Sequence, residues 1–301
     1  MRLILIHAKP LDELGGAELS LKAHLAAAPS TVTVDTALPD DPIPLEDYDT
    51  LILANLRPSG GLGRREEYRW ASLWASRLRG YRGYAIKSER DIHPCGHRDG
   101  RCIQTDPLTR ISCDCSRKIP GAFEKLYNLC DAIQFLSPLH RSAINQLVRI
   151  TPLQYEIACP IDLTRFRSIT PFDQRKQTAL LMGDAGRVSP EAVTLAEAKG
   201  YPVERVDYLS VPYEAMPGLL NQYQAVVVAP RMLHGFGRLA VESLACGCQV
   251  ITNNRVGAMS WPDPLAASQA ANAAFWEMVT RRPPSPNPRR FRSMAFWRFK
   301  R

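Results

Sequence analysis

The chain reads as an α/β protein built from two Rossmann-like domains that face a cleft. Three observations predict this. Short apolar runs alternate with amphipathic helical stretches, the pattern of parallel strands joined by helical crossovers. The 301 residues leave room for two domains, and 45% hydrophobic residues are enough for two cores. The alternation then restarts near Gln177, after a junction at residues 162–176.

Each element follows in order. Arg2–His7 is a strand, and a loop with Gly15-Gly16-Ala17-Glu18 opens a helix to about Ala28. Thr31–Thr36 and Thr50–Asn55 are the next strands. Glu66–Arg79 is an amphipathic helix with Trp70, Leu73 and Leu78 on one face. Tyr84–Lys87 and Ala132–Leu136 are further strands; Ala122–Cys130 and Pro138–Val148 are helices. These make an N-terminal domain over residues 1–165. A second domain, residues 177–280, begins with strand Ala179–Met182, which ends in Gly183-Asp184-Ala185-Gly186. Helix Pro190–Lys199, strand Glu204–Tyr208, helix Tyr213–Gln222 and the buried strand Ala225–Ala229 follow.

Composition narrows the class. No apolar run reaches transmembrane length, so no transmembrane segment is expected. The N-terminal MRLILIHAKP is too short in apolar residues for a secretory signal. Eight cysteines without such a signal point to a reducing compartment, the cytoplasm by default. The net charge of +8 resides in the tail: residues 281–301 carry eight Lys/Arg and no Asp or Glu. Pro283, Pro284, Pro286 and Pro288 make the start of that tail extended.

The run HGFGRLAVESLACGCQVITNNRVG, residues 234–257, carries the densest functional signal. Gly235 and Gly237 open a short helix with Leu239, Val241, Leu244 and Ala245 facing inward, then Cys246-Gly247-Cys248 and strand Gln249–Thr252. A glycine loop entering a helix brings backbone N–H groups and the positive helix end to a phosphate. Glu242 lies two turns in, able to accept hydrogen bonds from sugar hydroxyls.

This run resembles the donor-site signature of GT-B glycosyltransferases, especially retaining family 4 (the group 1 glycosyl transferases). That signature has two glutamates separated by seven residues around a Gly-Phe-Gly. Here Gly235-Phe236-Gly237-Arg238 and Ala245-Cys246-Gly247 match, Glu242 stands for the second glutamate, and His234 replaces the first. GGAELS at 15–20, QFLSPLHRSAI at 134–144 and CPIDLTRF at 159–166 resemble further elements of the family in chain order. The resemblance implies transfer of a sugar from a nucleotide-sugar donor, a UDP-sugar first among them, with retention and without a catalytic metal. It implies Gly15, Gly16, Gly235, Phe236 and Gly237 around the donor, Arg238 and Arg187 on its phosphates, and Glu242 on the ribose. His234 keeps hydrogen-bonding capacity at the reacting face but no fixed negative charge.

IKSERDIHPC, residues 86–95, resembles a K-Y-E-H-D element of phage and viral members. Glu89 and Asp91 match, while Ser88 and Arg90 replace the aromatic and the histidine. Either carboxylate could orient or deprotonate an acceptor hydroxyl, or simply pair with nearby arginines. Cys95, Cys102, Cys113 and Cys115 follow at spacing C-x6-C-x10-C-x-C beside His93 and His97. Four thiolates can close a structural zinc site across the insertion at residues 92–118; free thiols, an iron–sulfur cluster or a disulfide stay open. Cys130, Cys159, Cys246 and Cys248 read as small core residues.

The tail supplies the acceptor clue. Its basic residues interleave with Phe291, Phe296, Trp297 and Phe299, a pattern that suits nucleic acid or an anionic membrane, or simply a soluble tail. Arg64, Arg65, Arg69, Arg77 and Arg79 add positive charge. A hydroxymethylated base in phage DNA is the favoured acceptor and a cell-envelope glycan, with peripheral membrane contact, the alternative. A non-catalytic zinc-bearing nucleic-acid-binding protein on a degenerate transferase scaffold is the reading from another class.

Overall fold

A computed structural model describes residues 1–13, 15–56, 64–94, 118–183, 188–207 and 210–281. Arg187, Cys95, Cys102, Cys113, Cys115 and the tail beyond Arg281 lie outside the described residues, so the zinc and tail readings rest on sequence alone. Two parallel sheets are present. The first has strands β1 (Arg2–Ile6), β2 (Thr33–Ala37), β3 (Thr50–Leu53), β4 (Tyr84–Ser88), β5 (Ala132–Phe135) and β6 (Leu153–Glu156), in the order β2-β1-β3-β4-β5-β6. The second has β7 (Lys176–Met182), β8 (Val203–Val206), β9 (Tyr223–Val228) and β10 (Gln249–Thr252), in the order β10-β9-β7-β8. Every pairing between them is parallel, so crossovers must run through helices.

The first sheet is flanked by α1 (Gly16–Ala26), α2 (Arg64–Leu78), α3 (Lys118–Leu129) and α4 (Pro138–Leu147). The second carries α5 (Ala192–Glu197), α6 (Met216–Leu220), α7 (Arg238–Ala245) and α8 (Pro264–Thr280). Strands β3 and β4 are buried at every position, as both faces of a parallel sheet are covered. On α2 the inward stripe is Ala71, Trp74, Ala75 and Leu78, whereas Leu73 is exposed. The i, i+3, i+4 spacing from Ala71 therefore sets the face, and its alanines let α3 approach α2 closely. On α7 the expected inward row holds for Val241, which is buried, and for Leu239 and Ala245, which pack half-buried against the core; Leu244 is half-buried, and Ala240, Glu242 and Ser243 are buried as well.

Two elements had no sequence counterpart. Strand β6 extends the first sheet at its edge, with alternating polar residues that masked it. Helix α8 begins with Pro264 after an Asp263 N-cap that accepts from the Leu265 and Ala266 amides. It returns to the first unit: Trp276 Nε1 donates to the His24 carbonyl at 2.8 Å, and the Phe275 ring stacks on His24 at 4.1 Å. Further bonds tie the units together, with Ser137 Oγ donating to the Gly235 carbonyl at 2.7 Å and Trp261 Nε1 to the Leu136 carbonyl at 3.2 Å.

Burial pushes the His24 pKa well below its ordinary value, and nearby Arg90 adds to the effect, so the ring stacks in its neutral form. Phe275 is fully buried in this seam. Phe275→Ala removes the stacking partner and opens a cavity, which costs about 3–5 kcal/mol. Chemical denaturation of the variant is expected to show that loss.

Candidate active site in the cleft between the sheets

In each sheet the strand order reverses beside its first strand, between β1 and β3 and between β7 and β9. Ligands of open parallel sheets bind outside the strand C-termini at such switch points. A cavity of about 270 Å³ lies there in the second unit, bounded by Met182, Gly183, Val228, Pro230, His234 and Glu242. A second cavity, of about 340 Å³, lies between the units and is lined by Gly16, Arg90, Asp91, His234 and Arg238 among others. His234, Gly237 and Arg238 line both.

The loop from β9 to α7 is shaped by close approach. Gly237 caps α7 at φ +87°, a left-handed conformation that suits glycine. At Gly235 a Cβ would come within 2.9 Å of the His140 ring. His234 is exposed at its side chain but pinned by its backbone, whose N–H donates to the Arg255 carbonyl and whose carbonyl accepts from Gly257, both at 2.9 Å.

Arg238 gathers both units. Its Nη1 donates to Ser20 Oγ and to the Pro160 carbonyl, each at 3.0 Å, and its Nη2 to the Tyr213 hydroxyl at 3.0 Å. One turn on, Glu242 pairs with it at 3.3 Å and accepts from the Tyr213 hydroxyl at 2.8 Å. Glu242 is buried, which raises its pKa against the opposing pull of Arg238 and Tyr213. Burial and the Glu242 charge push Tyr213 up to about 12, so the phenol stays protonated and donates.

The 159–166 segment sets Tyr213 in place. Asp162 Oδ1 accepts from the Thr164 hydroxyl and the Thr164 and Arg165 amides, closing a turn. Arg165 then donates to the Tyr213 carbonyl at 2.6 Å, with its guanidinium 4.6 Å from the ring centroid.

In the first unit, Gly15 is the N-cap of α1 and Gly16 its first residue. The Glu18 carboxylate folds back over Gly15 and bonds His7 Nε2 at 2.8 Å. An acidic side chain in the first turn thus already stands at the positive end of this helix. Gly16 faces the Arg238 stem instead, within the interunit cavity.

Glu89 and Asp91 separate in space. Glu89 is fully buried beneath the cleft, paired with His93 and Lys87, and accepts from the Tyr127 hydroxyl at 2.6 Å. Burial alone would raise its pKa, but His93, Lys87 and Tyr127 outweigh this and hold it well below the usual carboxylate range. Lys87 Nζ also donates to the Ala54 carbonyl at 2.6 Å. The Glu89 carboxylate therefore points into this network, whereas Asp91 lines the interunit cavity. The Asp91 carbonyl accepts from His140 Nε2 at 3.1 Å, and His140 Nδ1 accepts from the Leu136 amide. That pattern is the neutral tautomer, and burial lowers the His140 pKa accordingly.

His140, Tyr213, Ser20 and Arg90 carry geometry that sequence reasoning did not assign. His140, Ser20 and Arg90 stood in view within SPLHR, GGAELS and IKSERDIHPC, whereas Tyr213 lay in no motif and meets Arg238 and Glu242 only through the fold. Phe236 is buried but borders the interunit cavity. Cys130, Cys159, Cys246 and Cys248 are buried free thiols, as small core residues would be. Among the described residues no cluster of His, Cys, Asp and Glu could hold a metal ion, and no helix is long and apolar enough to cross a membrane.

The Glu89 network makes a pH-dependent contribution with a definite sign. A carboxylate held below its unfolded pKa stabilises the fold above that unfolded value and loses the contribution as pH falls toward the folded pKa. Glu89→Gln is expected to cost about 3–5 kcal/mol near neutral pH, the penalty for breaking a buried charged network. Urea midpoints of the two proteins should converge as the pH drops below the ordinary carboxylate pKa.

Comparison with known proteins places the fold. No family model matches the sequence, and no curated protein does. Solved structures do. Sucrose-phosphate synthase from Thermosynechococcus elongatus aligns with TM-score 0.58 at 12% identity, over 99% of this chain and 98% of that one. HepE from Anabaena, solved with UDP and glucose, gives TM-score 0.54 at 13% identity, over 99% of each chain. An E. coli trehalose-6-phosphate protein bound with UDP-2-fluoro glucose gives 0.53 at 10%, again over 99% of each. Two parallel Rossmann-like sheets with a cleft at their switch points are thus the GT-B architecture of these glycosyltransferases.

Proposed function

We propose that the chain is a nucleotide-sugar glycosyltransferase whose donor occupies the cavity at the ends of β7 and β9. The observation that carries this is the Arg238–Tyr213–Glu242 cluster at the start of α7, beside the left-handed Gly237. A guanidinium and a helix N-terminus suit a diphosphate, and a buried carboxylate one turn in suits ribose hydroxyls. The solved structures with UDP or a UDP-sugar make UDP the first nucleotide to test.

In the transfer, the bond from the sugar's anomeric carbon to the diphosphate oxygen breaks and a bond to an acceptor oxygen forms. The acceptor proton leaves to a base, and the diphosphate takes the electron pair. Arg238 stabilises the developing charge on the diphosphate, with Arg187 as the second phosphate group proposed from sequence. His234 and Asp91 border the space where the anomeric carbon and acceptor meet. Glu89 acts as a positioning residue, fixing the turn that carries Asp91. Retention of configuration is part of this proposal and rests on the family resemblance.

The hydroxymethylated DNA base rests on the basic tail and on the arginines near α2. Mass shifts in nucleosides digested after incubation with DNA and a nucleotide-sugar panel test it. A membrane-associated glycan acceptor would instead show as vesicle binding lost on deletion of the tail.

UDP at 100 times its Kd is expected to stabilise the protein by about 2.7 kcal/mol. In Glu242→Ala the resulting thermal shift should fall away, with UDP affinity down at least tenfold by calorimetry. Undiminished UDP binding would remove Glu242 from the donor site. Turnover of a hydrolysed or transferred UDP-sugar should drop at least tenfold in His234→Ala and partly recover in His234→Glu; equal rates in all three would deny His234 a role.

A further inference from the structure

The end of β3 stands in the middle of the first unit's wall of the cleft. In the order β2-β1-β3-β4-β5-β6 it has β1 on one side and β4 on the other. Neighbouring strands lie about 4.8 Å apart, so the residues just after β3 can reach the loops that follow both neighbours. Ala54 does so with its backbone, donating to the Ile6 carbonyl at 2.9 Å and accepting from Lys87 Nζ at 2.6 Å.

Asn55 repeats the pattern one residue further out. Its backbone N–H donates to His7 Nδ1 at 3.3 Å. An accepting Nδ1 leaves the ring proton on Nε2, which donates to Glu18 Oε1 at 2.8 Å. The Glu18 carboxylate is thereby held over Gly15, where it leaves no room for a Cβ. On the other side, Asn55 Oδ1 accepts from His93 Nε2 at 3.0 Å. The second ring nitrogen of His93 pairs with Glu89. His7, Glu18, Glu89 and His93 are each at most 6% exposed, so water competes little for these bonds.

Both arms end on loops that face one space. Gly16 and Ala17 follow Gly15, Arg90 and Asp91 follow Glu89, and all four line the interunit cavity of about 340 Å³. A single residue thus bonds to the supports of two loops whose spacing shapes that cavity.

We propose that Asn55 is a positioning residue for glycosyl transfer, fixing the glycine loop and the Asp91 turn relative to each other through His7–Glu18 and His93–Glu89. The inference rests on the glycosyl-transfer reading and adds to it the residue on which the first unit's wall depends. Asn55 acts through the two histidines and not on the reacting atoms. A displacement of about 1 Å in such a wall is enough to cost about 10²-fold in rate. The side-chain oxygen is the discriminating feature: aspartate keeps it and alanine loses it, while both keep the backbone N–H.

The test compares the full-length wild type with Asn55→Ala and Asn55→Asp. Amide hydrogen exchange is followed by mass spectrometry in segments 15–19, 88–92 and 223–228. In Asn55→Ala, exchange is expected to quicken at least tenfold in both 15–19 and 88–92 and to stay within twofold in 223–228, which belongs to the second sheet. Asn55→Asp should return both loops toward wild type. With UDP-glucose as the probe, kcat for its hydrolysis should fall at least tenfold in Asn55→Ala and recover in part in Asn55→Asp. UDP affinity by calorimetry should stay within twofold throughout.

Unchanged exchange in either loop of Asn55→Ala overturns the proposal. So does equal loosening of all three segments, which would make Asn55 a general stabiliser. Equal kcat in the three proteins, or a loss of UDP affinity that matches the loss of kcat, also overturns it. If Asn55→Ala does not fold, His93→Gln removes the ring between Asn55 and Glu89 and is judged by the same criteria. If the wild type neither binds UDP nor hydrolyses UDP-glucose, the glycosyl-transfer reading fails separately, and the exchange pattern still decides whether Asn55 links the two loops.

Discussion

The cleft depends on where one guanidinium finds its partners. Arg238 starts α7 in the second unit, yet two of its bonds go to Ser20 and Pro160, and the others return to Tyr213 and Glu242. The glycine loop, the first helix of the chain and the junction segment thereby meet at a single side chain. Surface ion pairs contribute little, but a pair this buried loses strongly when broken. The arrangement of Arg238 is therefore coupled to the spacing of the two sheets. A ligand diphosphate that recruits Arg238 would have to replace hydrogen bonds that now join the units, which links donor binding to cleft geometry.

A second buried network does the corresponding work in the first unit. Lys87, Glu89, His93 and Tyr127 form a charged cluster with almost no solvent access. Its members satisfy one another, so the desolvation cost is offset within the cluster. The result is a stiff base for the turn that follows β4. Arg90 and Asp91 stand on that turn, and His140 braces it from α4 while its ring packs against Gly235. Loops of both units are in this way positioned from below by rigid elements rather than by each other's flexibility.

Much of this was legible in the residues. Strand Gln249–Thr252 was read with its observed ends, and the valines of β9 announced a buried strand leading into the glycine loop. Local patterns suffice there because burial on both faces and left-handed glycine demand particular residue types. The placement of α8 was hidden, since its alanine-rich sequence lacks a one-sided stripe and its contacts lie some 250 residues earlier, at His24. The separation of Glu89 from Asp91 was equally hidden. Both residues lie past the end of β4, where strand alternation no longer orders them, and only the positions of Lys87, His93 and Tyr127 decide which carboxylate is consumed by the core.

Two departures from the resembled motifs acquire a common meaning in this geometry. Where the glutamate pair would place a carboxylate, His234 stands at the boundary of both cavities. Where the K-Y-E-H-D element has a histidine, the chain has Arg90. Each change shifts the cleft toward positive charge, and both face the same interunit space. A carboxylate at position 234 would border the same cavity as Arg90 and attract its guanidinium. In a confined, partly desolvated cavity such a charge acts far more strongly than in water. Histidine carries no fixed negative charge and keeps a hydrogen-bonding group at the border of both cavities. The two positions are thus physically coupled, because a charge placed at either one acts on the other across a shared cavity.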